Sequence, residues 1–235
     1  MSVPGDNRRG ALLSASLMCA RLAELGVEVE RLERAGVDSF HVDVMDGHFV
    51  PNIALSLDTV AAIRPLTRLP IHVHLMTETP ERYVQPAADG GADVLFFHLE
   101  ATHAPLRLAA AIEAAGMSPG MALSPHTVLP DLPELLSLPH VLVMSVEPGF
   151  AGQGWVASTP SRVARLREQV GVHCVITVDG NVNEQTIPVM WQAGADNFVG
   201  GSSGLFTSPD ADYIERAEAL RASVGATSRV QGGVT

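Results

Sequence analysis

Cysteine is scarce in this 235-residue chain: Cys19 and Cys174 are the only two, too few for a disulfide framework, and they suit a reducing compartment such as the cytoplasm. Positive charge is short as well, with 15 Lys and Arg against 26 Asp and Glu and a formal net charge of -11. Such a surface repels phosphate backbones and anionic lipid, which argues against nucleic-acid and membrane partners and leaves an anionic substrate to local backbone donors. No segment approaches the ~18 uninterrupted apolar residues of a membrane span. Arg8-Arg9 ahead of Ala11 to Ala20, with Ser16-Leu17-Met18-Cys19 inside that run, faintly matches a lipoprotein cleavage site. The same residues make a good first β-strand. Charged residues are 17% against 46% hydrophobic, the reverse of a disordered chain, and the length suits one sizeable core.

What the chain does have is alternation. Short β-rich runs recur between helical stretches roughly every 25 to 30 residues, the mark of repeated βα units and a parallel sheet. Strands are predicted near Leu12 to Met18, Ser39 to Met45, Ile71 to Met76, Val94 to Leu99, Pro119 to Leu123, Val141 to Val146, Cys174 to Val178 and Asn197 to Gly200. Thr79-Pro80-Glu81 and Thr159-Pro160-Ser161 read as a cap followed by an initial proline; Ala35-Gly36, Gly90-Gly91 and Ala193-Gly194 read as helix stops. Eight units imply a closed (β/α)8 TIM barrel over 11–224, with chemistry at the C-terminal strand ends. A doubly wound open sheet competes, but no Gly-x-Gly-x-x-Gly follows the first strand. Residues 1–10 and 225–235 lack apolar periodicity and are expected to be mobile tails.

Period-2 geometry aims His41, Asp43 and Met45 to one side of the second strand, and His74 and Met76 to one side of the third; the seventh ends on Asp179. Zinc and iron(II) accept imidazole nitrogen and carboxylate oxygen, so His41, Asp43, His74 and Asp179 form a plausible four-ligand set. His72 shares the face of His74 but lies deeper, as a core histidine or an alternate ligand. Asp43 and Asp179, from strands two and seven, suit two-base proton transfer next to a carbonyl, with the metal holding the enediolate oxygens. Met45, Met76 and Met144 would give the reacting carbons a dry, proton-inert surface, although methionine is also a common gap-filler. Val199-Gly200-Gly201-Ser202-Ser203-Gly204 after strand eight, with Asp179-Gly180-Asn181 from strand seven, suggests a phosphate grip. Pro148-Gly149-Phe150-Ala151-Gly152-Gln153 after strand six reads as a mobile flap, or as a plain tight turn.

HVDVMDGHFVPN from His41, the HLM of strand three, HLEAT from His98, MSVEPGFAGQ from Met144 and VDGN from Val178 resemble the ribulose-phosphate 3-epimerase family, from about Ser14 to Phe206. Ser16 to Cys19, Leu55-Ser56, Gly149 to Gln153 and Ser203 to Phe206 are most similar to its D-allulose-6-phosphate branch. The resemblance implies a metal-dependent 3-epimerase of a ketose phosphate, with ligands at His41, Asp43, His74 and Asp179 and acid/base roles for Asp43 and Asp179. The substrate-contacting serine falls on Ser16, and flap and phosphate contacts on Gly149 to Gly152, Gly180, Gly201 and Ser202. It also implies a divalent ion, zinc foremost, with iron(II), manganese or cobalt as alternatives, and a homo-oligomer, dimer or hexamer. Arg21, His72, His126 and Asn181 depart from the family's usual residues, and His126 and Asn181 fall in loops within reach of a sugar phosphate. A different phosphate-binding lyase or decarboxylase, or a noncatalytic sugar-phosphate sensor, would use the same scaffold.

Overall fold

The computed structural model describes residues 10–224. Apart from Gly10, both expected tails lie outside the described residues. Eight strands alternate with eight α-helices: β1 Leu12–Ser16, α1 Leu25–Arg34, β2 Ser39–Met45, α2 Leu57–Ile63, β3 Ile71–Met76, α3 Val84–Gly90, β4 Val94–His98, α4 Pro105–Ala114, β5 Ser118–Leu123, α5 Pro133–Leu136, β6 His140–Met144, α6 Thr159–Val170, β7 Val175–Asp179, α7 Thr186–Gln192, β8 Asn197–Gly200 and α8 Tyr213–Ala222. All neighbouring strands pair in parallel, and β8 closes on β1, so the sheet is the expected (β/α)8 barrel. No described helix is long and apolar enough to cross a membrane.

Several boundaries differ from the sequence reading. β1 stops at Ser16 because Leu17–Cys19 winds into a 3-10 turn closed by Ala20 N–H on the Leu17 carbonyl. β6 ends at Met144, short of Val146, and β7 runs on to Asp179. Neither Thr79 nor Thr159 acts as a side-chain cap. Pro80–Tyr83 forms a 3-10 turn before α3, and Thr159 is already helical, its hydroxyl donating to the Val156 carbonyl at 2.7 Å. The three glycine stops hold, with Gly36, Gly91 and Gly194 all at positive φ.

Valine, isoleucine and leucine between strands and helices make the outer core layer, including Val42, Val73, Leu95, Val141 and Ile176. The barrel's inside is divided. On one side Val94, Phe96, Ala122, Leu142, Met144, Val146 and Val199 pack together. Gly120 is required there, since a Cβ at that position would lie 2.4 Å from the Phe96 ring. On the other side the filling is polar: the Ser14 and Ser39 hydroxyls bond each other, and Asn197 donates to Ser14 and Thr177 at 3.2 and 3.3 Å.

The closed end of the barrel repeats one device three times. Asp38, Asp93 and Asp196, each just before or at the entry to a strand, accept from the first backbone N–H groups of the preceding strand, at Leu13 (2.7 Å), Ile71 (2.8 Å) and Ile176 (2.8 Å). Each also receives an arginine: Arg221, Arg64 and Arg167 respectively. A fourth arginine cluster lies beside α1, where fully buried Glu28 takes Arg21 at 2.9 Å, Arg31 at 3.0 Å and the Tyr213 hydroxyl of α8. Arg31 also stands 4.7 Å over the Tyr213 ring.

Candidate metal and sugar-phosphate site

Parallel pairing sets Asp43 directly opposite His74, and Met45 opposite Met76. Inward alternation along β2 and β3 therefore stacks His41, Asp43 and Met45 beside His74 and Met76. β7 contributes Asp179, in register with Met144 of β6. His41, Asp43, His74 and Asp179 each offer one ligand atom, and the four atoms lie within 4.8 Å of one another. His41 Nε2 is 3.3 Å from Asp43 Oδ1 and 3.7 Å from Asp179 Oδ2; His74 Nδ1 is 3.1 and 3.8 Å from the same two atoms. Ligands about 2.1 Å from a tetrahedral ion stand roughly 3.4 Å apart, so the spacing is compatible with a bound divalent ion. The buried His41 Nε2 has no aligned hydrogen-bond partner, which is the state of a nitrogen aimed at a cation.

Electrostatics within the cluster are divided. Burial opposes ionisation of Asp43, but His41 beside it and the hydrogen bond with His74 overcome this and hold its carboxyl well below the usual range. Burial pushes Asp179 up instead, and the Asp43 charge adds to the rise. His74 is pulled down to about 4 by burial. Ser16 donates to Asp43 Oδ2 at 3.0 Å and so fixes the face that carboxylate turns to the barrel axis.

Above the cluster opens a cavity of about 60 Å³. Its floor is Ser16, Asp43 and Asp179, its walls are Met45, Met76 and Met144, and its rim is Gly149 to Gly152 on one side and Gly201 to Ser203 on the other. Gly180 and Asn181 join the rim from the β7 loop. Gly180 sits at φ 104°, and a Cβ there would lie 2.6 Å from Val146. The structure thus brings the expected residues to one place, with His41 and His74 fully buried beneath the floor instead of lining it. The segment expected as a flap is tied down on both sides. Asn52 donates to the Gly149 carbonyl at 2.7 Å, Asn181 donates to the Gln153 carbonyl at 2.7 Å, and Gln153 donates to the carbonyls of Glu147 and Phe150.

The departures separate. His72 is a core histidine, 6.1 Å from the Phe96 ring and 6.2 Å from that of His140, and burial pushes it down to about 3. It takes no part in the ligand cluster. Arg21 belongs to the buried Glu28 cluster and does not line the cavity. His126 is exposed, 3.6 Å from Glu147, and only its partner reaches the rim. Asn181 alone lines the cavity.

Sequence reasoning passed over Met18 and Cys19, which join the lining from the 3-10 turn. Burial and the Asp43 charge push the Cys19 thiol up to about 11. It also passed over His98 and Glu100, directly behind His74. The inward alternation Val94, Phe96, His98 was the available signal.

Residues 12–206 match the Ribulose-phosphate 3 epimerase family. The chain is 41% identical over 196 residues to a ribulose-phosphate 3-epimerase of Bacillus subtilis (strain 168), covering 81% of this chain and 90% of that protein. Against a ribulose-phosphate 3-epimerase of Mycobacterium bovis the identity is 39% over 225 residues, 93% and 95% of the two chains. Among solved structures, 3-keto-L-gulonate-6-phosphate decarboxylase from Vibrio cholerae superposes with a TM-score of 0.69 at 14% identity, covering 92% of this chain and 98% of that one. Orotidine 5'-phosphate decarboxylase from Pyrococcus horikoshii gives 0.65 at 15%, covering 92% and 100%. At that identity the structures speak for the barrel alone. The family match and the curated relatives speak for the chemistry: this chain belongs to the ribulose-phosphate 3-epimerase family and is an isomerase, an epimerase of that kind.

Proposed function

We propose that the protein is a metal-dependent 3-epimerase of a ketose phosphate in which Asp43 and Asp179 move the proton. The observation that carries this reading is the convergence of two imidazole nitrogens and two carboxylate oxygens under a cavity walled by methionine and rimmed by glycine. The four residues would hold a divalent ion, zinc foremost and iron(II), manganese or cobalt next. Such an ion, when bound, supplies positive charge against the negative charge that develops on the substrate oxygens.

The chain's own residues do the rest. Asp43 and Asp179 come from β2 and β7, so they meet a substrate carbon from different directions. One carboxylate takes the C3 proton, the C–H electron pair becomes the C2–C3 double bond of an enediolate, and the carbonyl oxygen takes the charge. The other carboxylic acid returns a proton to the opposite face, so the centre inverts and the two groups exchange protonation states. Met45, Met76 and Met144 offer neither donor nor base, which keeps the intermediate from stray protonation. The phosphate fits the rim of Gly180, Gly201, Ser202 and Ser203, where backbone amides substitute for a cationic side chain, none of which lines the cavity among the described residues.

The chain contains no lysine, so a lyase acting through a Schiff base on this scaffold has no amine to use. Pentulose phosphate, D-ribulose 5-phosphate to D-xylulose 5-phosphate, is favoured by the curated relatives. D-Allulose 6-phosphate to D-fructose 6-phosphate is favoured by Ser16 to Cys19 and Gly149 to Gln153, of which all but the core residue Leu17 stand at the cavity. The two cysteines support a reducing compartment, and the family resemblance supports a homo-oligomer.

Proton NMR in D2O with the zinc-loaded protein tests the reading. Loss of the C3 proton signal with appearance of the epimer is expected, and the two substrates offered separately are ranked by rate. Asp179→Asn should keep the barrel's circular dichroism and lower turnover by about 10²- to 10⁴-fold. Exchange at an unchanged rate in that variant would refute the two-aspartate mechanism, and binding without exchange in the parent protein would make it a sensor.

A further inference from the structure

His74 uses both ring nitrogens. Nδ1 faces the ligand cluster, and Nε2 lies 2.9 Å from Nε2 of His98, a fully buried histidine at the end of β4. The two rings stack at 5.1 Å with an interplanar angle of 30°. His98 Nδ1 in turn lies 3.2 Å from Glu100 Oε2 and 3.3 Å from the Ser124 hydroxyl. Glu100 is itself held in place: its other oxygen accepts from Ser124 N–H at 3.0 Å and from the Thr127 hydroxyl.

Each proton in this chain has one consistent position. An ionised carboxylate only accepts, so His98 must offer Glu100 an Nδ1–H. A neutral His98 then has a bare Nε2, and His74 must donate its Nε2–H to it. A neutral His74 is left with a bare Nδ1, which faces Asp43 Oδ1 at 3.1 Å and Asp179 Oδ2 at 3.8 Å. His41 Nε2 meets the same two oxygens. His74 Nδ1 thus turns a lone pair, not a proton, toward the two carboxylates, an arrangement that a cation between them satisfies.

We propose that Glu100 and His98 are positioning residues that fix His74 in its Nε2–H tautomer and thereby preform the cation cradle from behind. This rests on the metal reading above, and it adds a second layer, supplied by β4 and the turn after it, to a site built from β2, β3 and β7. Glu100 acts at two removes, touching neither the ion nor the substrate.

The test reads zinc affinity by competition with a chromophoric chelator, together with long-range proton–nitrogen NMR of the histidine rings in the metal-free protein. Glu100→Ala and His98→Leu should each bind zinc about 10- to 100-fold more weakly than the parent. His98→Gln, whose amide oxygen can accept from His74, should recover most of that loss, as a merely space-filling role would not. The parent's spectrum should show His98 protonated on Nδ1 and His74 on Nε2. Parental zinc affinity in both Glu100→Ala and His98→Leu, or the opposite tautomers, would overturn the proposal. Should His98→Leu fail to fold, Glu100→Ala, on a partly exposed residue, decides alone. A parent protein that binds no zinc, manganese or iron(II) would sink the metal reading itself, while the ring spectra would still report the tautomers.

Discussion

Glu28 is a charge without exposed surface, and its environment makes it a pH reporter for the fold. Burial opposes its ionisation, but the Tyr213 hydroxyl and the Arg21 guanidinium outweigh that and hold its carboxyl below the ordinary value. Its contribution to stability is therefore complete above about pH 4.5 and drains away as acid protonates it toward the lowered folded value. Glu28→Gln should melt several degrees below the parent at pH 7, and the gap should close as melts are repeated down to pH 3. A gap that stays constant would mean that packing, not charge, matters there. Residues of this kind were less legible in the sequence than the site. His41, Asp43, His74 and Asp179 announced themselves because strand alternation alone dictates which way each points. The partners of Glu28, like the bond from His74 to His98, depend on elements brought together across the fold, which no local spacing encodes.

At the scale of elements, the loops after β6 and β7 are joined by the Asn181 amide on the Gln153 carbonyl. Asn181 adopts φ 47°, which glycine accepts without strain, so Asn181→Gly removes the tie and leaves the backbone at ease. That variant should show a raised KM for the sugar phosphate with its melting temperature little changed, read from initial rates over a substrate series. Strand centres were legible because apolar alternation is strong there. Strand ends were not, since β1 is cut short by a 3-10 turn and β7 is carried one residue further by its ladder with β6 and β8. The aspartates at the strand entries were invisible for another reason. Asp196 earns no notice in sequence, yet it binds Arg167 and the Ile176 N–H from a nearly buried position. Asp196→Ala should lower stability by about 3 kcal/mol in urea unfolding while leaving turnover per folded molecule unchanged.

For the whole molecule, closing the sheet divides labour between its ends. The aspartate and arginine clamps occupy the end away from the cavity, and His41, Asp43, His74 and Asp179 stand on three strands at or near the other end. A cation that joins β2, β3 and β7 binds the folded barrel and not the unfolded chain, so it should stabilise the whole. Zinc at about 100 times its dissociation constant is worth roughly 2.7 kcal/mol, or about 5–10 °C for a domain of this size. Melting with and without chelator measures it, and an unchanged midpoint would show that the cluster holds no ion.

Arg221, on the last turn of α8, donates to the Ala11 carbonyl at 2.8 Å while it also grips Asp38 and the Gly36 carbonyl at the foot of β2. The first and last units are thus fastened to each other by the same kind of clamp that Arg64 and Arg167 make elsewhere around the ring. Translation order is then an accident of bookkeeping as far as the barrel is concerned. A circularly permuted chain, with residues 11 and 224 bridged by a short linker and new ends opened in the loop between α4 and β5, should assemble the same cavity and the same chemistry.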